Sequence, residues 1–415
     1  MSNQNIITSL DIGTGSIKGI IAVKKQNFSN FEILAQSRKN SLGIRKGAVI
    51  DADEVSKNIS FVINELERQS ARKIEEVFIN LNGSHIFCLP SRGSVVVSRA
   101  DQRISQEDID RVIESAQAFS LPKNKEILEI FVREYIVDNE RKIKQPLDMQ
   151  GVRLEAEVLA VCAFSPYIKN LTDAVLESGV QIADIIISPL ASSSAMLTPE
   201  QKELGVVLID IGAGTTSMAV YNEGDLIYTT VIPVGSSLIT EDIAVGFQTE
   251  MDIAEKLKKE FGTCVLTNLS RGKKDKITLK EYPDMSFSRK MLVKIINARV
   301  CEIFAIIHKE LKKNCSQFLL PGGVVLAGGG AKIPKIVEIV KKELKLPTRL
   351  GSIKAFSDLT GAQKDISMSV VCGLAIEGLN LTDEDSSSGD IVGNINKIIK
   401  KIIDKLKKLF KIFVP

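Results

Sequence analysis

The sequence predicts an α/β fold built on an internal duplication, and three observations carry that reading. Short apolar runs alternate with amphipathic helical stretches along most of the 415 residues. A strand, a glycine-rich turn and a returning strand occur twice, about 200 residues apart. A third glycine cluster, late in the chain, leads from a buried strand into a helix. The length exceeds what one ordinary core fills and points to roughly two to four domains. Apolar residues at 44% and charged residues at 25% are the balance of a globular protein, not of a disordered or fibrous one.

The composition also excludes classes. No run approaches the ~18 apolar residues of a membrane-spanning helix, so an integral membrane protein is not expected. The first charged residue is Asp11, which leaves no basic n-region for a secretory leader. Six scattered cysteines without a C-x-x-C pair read as reduced thiols of a cytosolic protein. Two histidines, His85 and His308, are too few for a histidine-rich metal site. Trp is absent and Tyr scarce, which argues against stacking platforms for single-stranded nucleic acid.

Taken in order, residues 6–10 form a strand that enters Asp11-Ile-Gly-Thr-Gly-Ser-Ile-Lys18, and a strand at 19–23 follows with no room for a helix. This is a hairpin with a turn rich in Gly and Thr. The pattern returns at 205–216, Gly-Val-Val-Leu-Ile-Asp-Ile-Gly-Ala-Gly-Thr-Thr, with its returning strand at 217–221. The third cluster, at 322–334, joins a buried strand to a helix expected to begin at Pro334, because proline suits a first helical turn. Amphipathic helices are expected at 53–69, 106–119, 167–179, 250–261 and 288–313. Residues 83–163 read as a small α+β unit inserted in the frame. It has a strand at 93–98, a helix opened by the capping box Ser105-Gln-Glu-Asp108, and strands at 127–138 and 155–164. Residues 381–394 form an acidic, serine-rich linker with too little apolar surface to fold.

The glycine clusters carry the chemistry. Gly13 and Gly15 let backbone N–H groups approach an anion, and Thr14 and Ser16 add hydroxyl donors. Lys18 supplies a positive charge suited to a β-phosphate. Asp11 and Asp210 each end a buried strand beside such a turn; a carboxylate facing a phosphate needs a cation between them, so both are candidates for water-coordinated Mg²⁺. Gly212, Gly214, Thr215 and Thr216 make a second jaw for the terminal phosphate, and Gly328, Gly329 and Gly330 let the backbone lie flat against a purine or its sugar. Any one of these clusters alone reads equally as an ordinary tight turn; their order and duplication point to a shared site.

In that order the clusters resemble those of the actin/DnaK-type/sugar-kinase ATPase superfamily. Asp252-Ile-Ala-Glu255-Lys-Leu-Lys258 resembles the helix that offers Glu and Lys to ribose and adenine, with a plain surface helix as the alternative. Within the superfamily the chain resembles the FtsA family of bacterial cell-division proteins. The resemblance rests on Ser188-Pro-Leu-Ala-Ser-Ser-Ser-Ala-Met-Leu197, on 204–216 with Val231-Ile-Pro-Val-Gly235, on 321–334, and on the place of the insert. It implies an actin-like duplicated ATPase fold, two lobes around a nucleotide cleft. The first lobe would comprise 1–82 and 164–195, with the insert at 83–163. The second would comprise 196–240 and 319–380, with a small subdomain at 241–318. It further implies ATP and Mg²⁺ as ligands, self-association into filaments, and tethering of FtsZ to the inner face of the membrane at the division septum, where later division proteins join. The FtsZ C-terminal peptide would meet the helix at 288–313 near Arg299, Lys290 and Lys294, or those bases are simply solvated. One departure stands out: Ser188 occupies the position where relatives carry a Gln or Glu that orients the attacking water, so slow or absent hydrolysis is expected.

The C-terminal segment, 395–413, is read on physical grounds. Seven lysines and one aspartate, Asp404, lie between Ile395 and Pro415, although the whole chain carries only +3. On a helical wheel Ile398, Ile399, Ile402, Ile403, Leu406, Leu409, Phe410 and Phe413 fall within about 80° of Ile395. Lys400, Lys401, Lys407 and Lys408 lie with the other lysines on the remaining face. Such a helix lies in an anionic membrane interface, gaining about 1 kcal/mol per nearby lysine, and arraying many copies on a polymer multiplies the avidity. A helix packed on its own domain is the bland alternative. Two other functions compete: a small-molecule kinase of the superfamily, which needs a carboxylate base near the cleft, and a pilus-assembly adaptor, which has no use for a cationic amphipathic end. A DnaK-type chaperone fails for want of a peptide-binding β-domain.

Overall fold

The computed structural model describes residues 6–24, 31–266, 275–353, 356 and 365–386. The expected membrane helix at 395–413 lies outside them.

The first lobe opens with strands β1 (Ile6–Ile12), β2 (Ser16–Lys24) and β3 (Phe31–Asn40), an antiparallel meander. The short strands β4 (Ile44–Arg45) and β5 (Ala48–Val49) lead to helix α1 (Ala52–Ser70) and strand β6 (Glu76–Leu81). The Asp51 side chain caps α1 by accepting from the Glu54 amide at 3.1 Å, and Val55, Ile59, Val62 and Leu66 repeat at helical spacing on its buried face.

The insert follows: β7 (Phe87–Val96), α2 (Gln106–Gln117), β8 (Lys125–Val137), β9 (Glu140–Ile143) and β10 (Arg153–Phe164) form a four-stranded sheet, β7-β10-β8-β9, with α2 on one face. The capping box expected at Ser105 and Asp108 is present. This unit has its own core, with Ile109, Val112 and Ile113 of α2 against Leu154, Ala156 and Val158. The chain then returns through α3 (Ser165–Glu177), β11 (Gln181–Ile187), α4 (Ser188–Met196) and α5 (Pro199–Leu204), completing the first five-stranded sheet in the order β11-β6-β1-β2-β3.

The second lobe repeats this plan. Strands β12 (Val206–Ile211), β13 (Thr216–Asn222) and β14 (Asp225–Ile232) form the meander; α6 (Ser237–Phe247), α7 (Met251–Phe261), the hairpin β15 (Lys276–Leu279) and β16 (Tyr282–Ser288), and α8 (Arg289–Cys315) form the small subdomain. Strand β17 (Val324–Ala327), α9 (Ile336–Leu344) and β18 (Thr348–Leu350) follow, giving the order β14-β13-β12-β17-β18. Each sheet is thus an antiparallel meander extended by two parallel strands, as the duplication predicts.

The period of two along β12 shows how the lobes join. Val206 and Leu208 belong to the core shared with the first lobe, whereas Val207, Ile209 and Ile211 face the core of the small subdomain and α9. Helix α4 is buried on nearly every side between the two sheets.

Three expectations need correction. Helix α10 (Ser369–Ser386) packs on α4, β1, β2 and β6, so the end of the segment assigned to the second lobe belongs by packing to the first. Its apolar residues Val371, Leu374, Ala375 and Leu379 are buried in that core, and a Cβ on Gly373 would stand 1.6 Å from the carbonyl oxygen of Ala191, so the two helices cross backbone to backbone. The same helix runs to Ser386, into the segment read as a linker from 381. Finally, no helix starts at Pro334. The glycine cluster enters a 3-10 turn, Gly329–Lys332, and α9 begins only after Lys335, whose left-handed φ of 68° breaks the path between them.

Candidate nucleotide cleft

The two glycine hairpins are built alike. In the first, Asp11 and Lys18 are directly opposed on β1 and β2, and Gly13 closes the turn with its N–H on the Ser16 carbonyl at 3.3 Å. In the second, Asp210 opposes Ser217, and the Gly212 N–H reaches the Thr215 carbonyl at 2.8 Å. Both aspartates are buried, at 5% and 8% exposure, at the ends of strands buried along most of their length.

Their partners differ. Asp11 is paired with Lys18 at 2.7 Å, so the lysine expected to serve a phosphate is engaged with the carboxylate beside it. Asp11 also accepts from the Asn80 side-chain amide at 3.2 Å. Asn80, at the end of β6, accepts from the Ile12 N–H at 2.6 Å and donates to the Ser188 hydroxyl at 2.9 Å. Ser188 in turn donates to the Leu81 carbonyl at 3.3 Å. Among the described residues no cationic side chain pairs with Asp210; it accepts from the hydroxyls of Ser192 at 2.7 Å and Ser369 at 2.5 Å. Burial pushes the Asp210 carboxyl above the usual carboxylate range, against the pull of these two hydroxyls and of Lys18.

The two turns meet. A Cβ on Gly15 would lie 2.8 Å from the Ala213 Cβ, and one on Gly214 would lie 2.7 Å from Thr14 Cγ2. Thr14 Oγ1 accepts from the Gly47 N–H at 2.9 Å, and Thr215 Oγ1 from the Asn82 amide at 3.1 Å. Thr216 donates to the Val234 carbonyl at 2.9 Å, while Ser236 and Ser237 donate to the Gly212 and Ala213 carbonyls at 3.0 and 2.7 Å. The segment after β14 therefore clasps the second turn from behind.

The third cluster closes on the second hairpin. Gly328 has φ 84° and ψ 167°, a conformation open essentially to glycine alone, and its N–H is held by the Ile366 carbonyl at 3.0 Å. Gly330 packs its α-carbon against Ile211, and Gly329 faces open space apart from Ser367. Glu255 and Lys258 are joined at 2.6 Å, and both meet the Thr240 hydroxyl. Lys258 also donates to the Ser236 carbonyl at 3.1 Å. The pair thus buttresses the clasp behind the second turn. Burial lowers the Lys258 pKa against the opposing pull of Glu255; burial raises that of Glu255, but the Lys258 and Thr240 hydrogen bonds outweigh it and hold it low.

Away from the cleft, Arg299 grips Asp242 of α6 through two hydrogen bonds, at 2.5 and 2.7 Å, and Glu302 at 2.8 Å, so its charge is balanced within the subdomain. Lys290 and Lys294 are exposed on α8.

The residues present fit a phosphate anion with a hydrated cation. Two glycine turns meet with no Cβ at Gly15 or Gly214, and a buried carboxylate ends the strand before each turn. No group of three or more His, Cys, Asp or Glu side chains converges among the described residues, so a cation here would take most of its ligands from water and phosphate oxygen.

Asn80, Asn82, Ser192, Thr240 and Ser369 did not emerge from the sequence. Only Asn80 left a signal there, as an amide inside the apolar strand Phe78-Ile79-Asn80-Leu81.

The turn after β6 also holds His85, whose ring lies 4.6 Å from that of Tyr167. Burial drives its pKa down to about 4. The unfolded chain takes up that proton near pH 6.5, so stability falls as pH drops from about 6.5 through about 4 and is flat above that window. Thermal melts of His85→Gln against pH should show that part of the slope removed.

Comparison with known proteins places these features. The family profile described as cell division protein FtsA matches residues 207–373, and that of the SHS2 domain inserted in FtsA matches 83–162. The chain is 32% identical to the cell division protein FtsA of Pseudomonas aeruginosa, over 91% of this chain and 90% of that one. Among solved structures, the PilM–PilN type IV pilus biogenesis complex superimposes with a TM-score of 0.66 at 16% identity, covering 90% of this chain and 98% of that one. MreB5 of Spiroplasma citri bound to ADP does so with a TM-score of 0.55 at 14% identity, covering 92% and 99%. The two structural likenesses show the fold, which is actin-like.

Proposed function

The chain belongs to the FtsA family of cell division proteins, and on that premise we propose that it binds ATP–Mg²⁺ between its lobes, polymerises on the inner face of the membrane, and tethers FtsZ there at the division septum. The observation that carries the nucleotide reading is the paired hairpin, with Asp11 and Asp210 buried at the strand ends and the two glycine turns in contact. Gly13, Thr14, Gly15 and Ser16 would serve as one jaw, and Gly212, Gly214, Thr215 and Thr216 as the other. Gly328, Gly329 and Gly330 would take the adenosine side, with Glu255 and Lys258 behind. Asp11 and Asp210 would hold Mg²⁺ through water. Binding of ADP by the MreB5 of similar fold supports this use of the cleft.

With ATP bound, the chemistry on offer is cleavage of the terminal phosphoanhydride by water. The chain is poorly equipped for it. Ser188 gives its proton to Leu81 and accepts from Asn80, and the Asn80 amide is itself committed to Asp11, Ser188 and Ile12. Neither group retains the carboxylate or free carboxamide that aims a water. Turnover far below the ~10 s⁻¹ of ordinary enzymes is expected, with Mg²⁺-dependent ATP binding. Equilibrium binding with parallel phosphate-release assays tests both halves. Rapid transfer to a small-molecule acceptor would favour the kinase reading instead. The pilus-adaptor reading draws on the PilM–PilN likeness, which at 16% identity weighs less than family membership at 32%.

The FtsZ C-terminal peptide would dock on the small subdomain beside Lys290 and Lys294. Arg299, already paired with Asp242, would shape that surface more than supply charge. Lys290→Ala with Lys294→Ala should weaken the peptide about fivefold at low salt, and the difference should shrink as salt screens it. Fluorescence anisotropy across a salt series reads this directly. The amphipathic segment at 395–413 would bind anionic lipid, and polymers would array many copies of it.

A further inference from the structure

We propose that Asn82 is a positioning residue that couples the second phosphate hairpin to the inserted subdomain, by turning the Thr215 hydroxyl proton toward the terminal phosphate. The proposal rests on the nucleotide reading above. Asn82 follows β6 directly and precedes Gly83, where the insert begins. Its side-chain carbonyl accepts from the Gly83 N–H at 2.9 Å and from the Ser217 hydroxyl at 3.5 Å. That fixes which end of the amide is the donor: the NH₂ faces Thr215 Oγ1, at 3.1 Å. A threonine hydroxyl has one proton and two lone pairs. With a lone pair taken by Asn82, its proton is left for another acceptor, and the jaw presents a donor to an anion rather than a lone pair.

The same amide ties first lobe to second. Ile86 N–H closes on the Gly83 carbonyl at 3.2 Å, and β7 starts at Phe87. One residue further, the Cys88 thiol donates to the Thr229 carbonyl of β14 at 3.2 Å. A shift of Thr215 is therefore handed through Asn82 and Gly83 to the first strand of the insert, which is itself seated on the second lobe. The contact also discriminates between nucleotides, because only a triphosphate places an acceptor opposite the second jaw.

The test uses the full chain, with AMP-PNP and ADP, each with Mg²⁺, as probes. Asn82→Ala should weaken AMP-PNP about fivefold, the worth of one hydrogen bond, and leave ADP within about twofold. Asn82→Asp should weaken AMP-PNP more than Asn82→Ala does, because a carboxylate takes the Thr215 proton for itself and repels phosphate. Thr215→Val should match Asn82→Ala, and the double variant should add nothing further. In the absence of nucleotide, amide exchange should quicken together at 212–216 and at 83–88 in Asn82→Ala. Equal losses for the two nucleotides, additive single effects, or faster exchange at 83–88 alone would overturn the coupling. If the wild-type chain binds neither probe, the nucleotide reading itself fails, and the exchange arm alone decides whether the two segments are joined.

Discussion

Gly328→Ala is expected to abolish nucleotide binding and to cost the second lobe about 3–5 kcal/mol, from backbone strain and overpacking together. At φ 84° and ψ 167° a side chain is strained whatever space surrounds it. Here there is none: a Cβ would stand 2.3 Å from Asp210 Oδ1 and 2.5 Å from the Ile211 carbonyl oxygen. Both neighbours are parts of the site, the carboxylate and the strand end that presents it. Relief would have to come from the backbone that leads into the second hairpin. Gly329→Ala is the matched control, because a Cβ there meets nothing nearer than Ser367 Cβ at 3.9 Å. Thermal unfolding of the two variants side by side should separate them clearly, and ATP binding is read on Gly328→Ala against wild type. Near-wild-type behaviour of Gly328→Ala would mean that the third cluster does not sit against Asp210.

The second large effect is expected at Asp11. Asp11→Ala leaves the Lys18 ammonium, 12% exposed, without its partner at 2.7 Å, and strands an Asn80 donor as well. Removing one member of a buried pair destabilises by about 3–5 kcal/mol, because the remaining charge stays desolvated. Replacing both, Asp11→Leu with Lys18→Met, should recover a large part of that loss, since an apolar pair of similar volume carries no unpaired charge. Denaturant unfolding followed by two probes, one in each lobe, would assign the loss to the first lobe. Nucleotide binding should not return in the double variant. A single variant as stable as wild type would contradict the buried pair.

The sequence carried the architecture further than the site. The duplicated hairpins, the insert and the helix inside it were legible because their signals are local: a period of two or 3.6, a capping box, a glycine turn. The path of residues 369–386 was not. A helix that leaves the second lobe to pack on β1 and α4 obeys no local rule, and its decisive contact is the absence of a side chain at Gly373 against Ala191. Pro334 misled for a related reason. A proline accommodates a first helical turn, but here the turn before it is 3-10 and Lys335 is left-handed.

Within the site, Asp11, Asp210 and the glycines stood out by type and spacing. Their partners did not. Asn80, Asn82, Ser192 and Ser369 reach the two aspartates and Thr215 from β6, its following turn, α4 and α10, over separations that leave no pattern in the chain. Charge alone marks Lys18; that the antiparallel register sets it opposite Asp11 shows only in the fold. Arg299 stands out by charge, and its pairing with Asp242, 57 residues earlier, leaves no trace in the sequence.

The central proposal is that the cationic segment at 395–413 holds FtsZ on a membrane under the control of nucleotide. Its most direct test is flotation on anionic liposomes of the full chain and of a chain ending at Gly393, each with FtsZ present, with and without ATP–Mg²⁺. The account predicts that only the full chain floats, that it carries FtsZ with it, and that ATP strengthens both. Equal flotation of the two chains, or of neither, would contradict it.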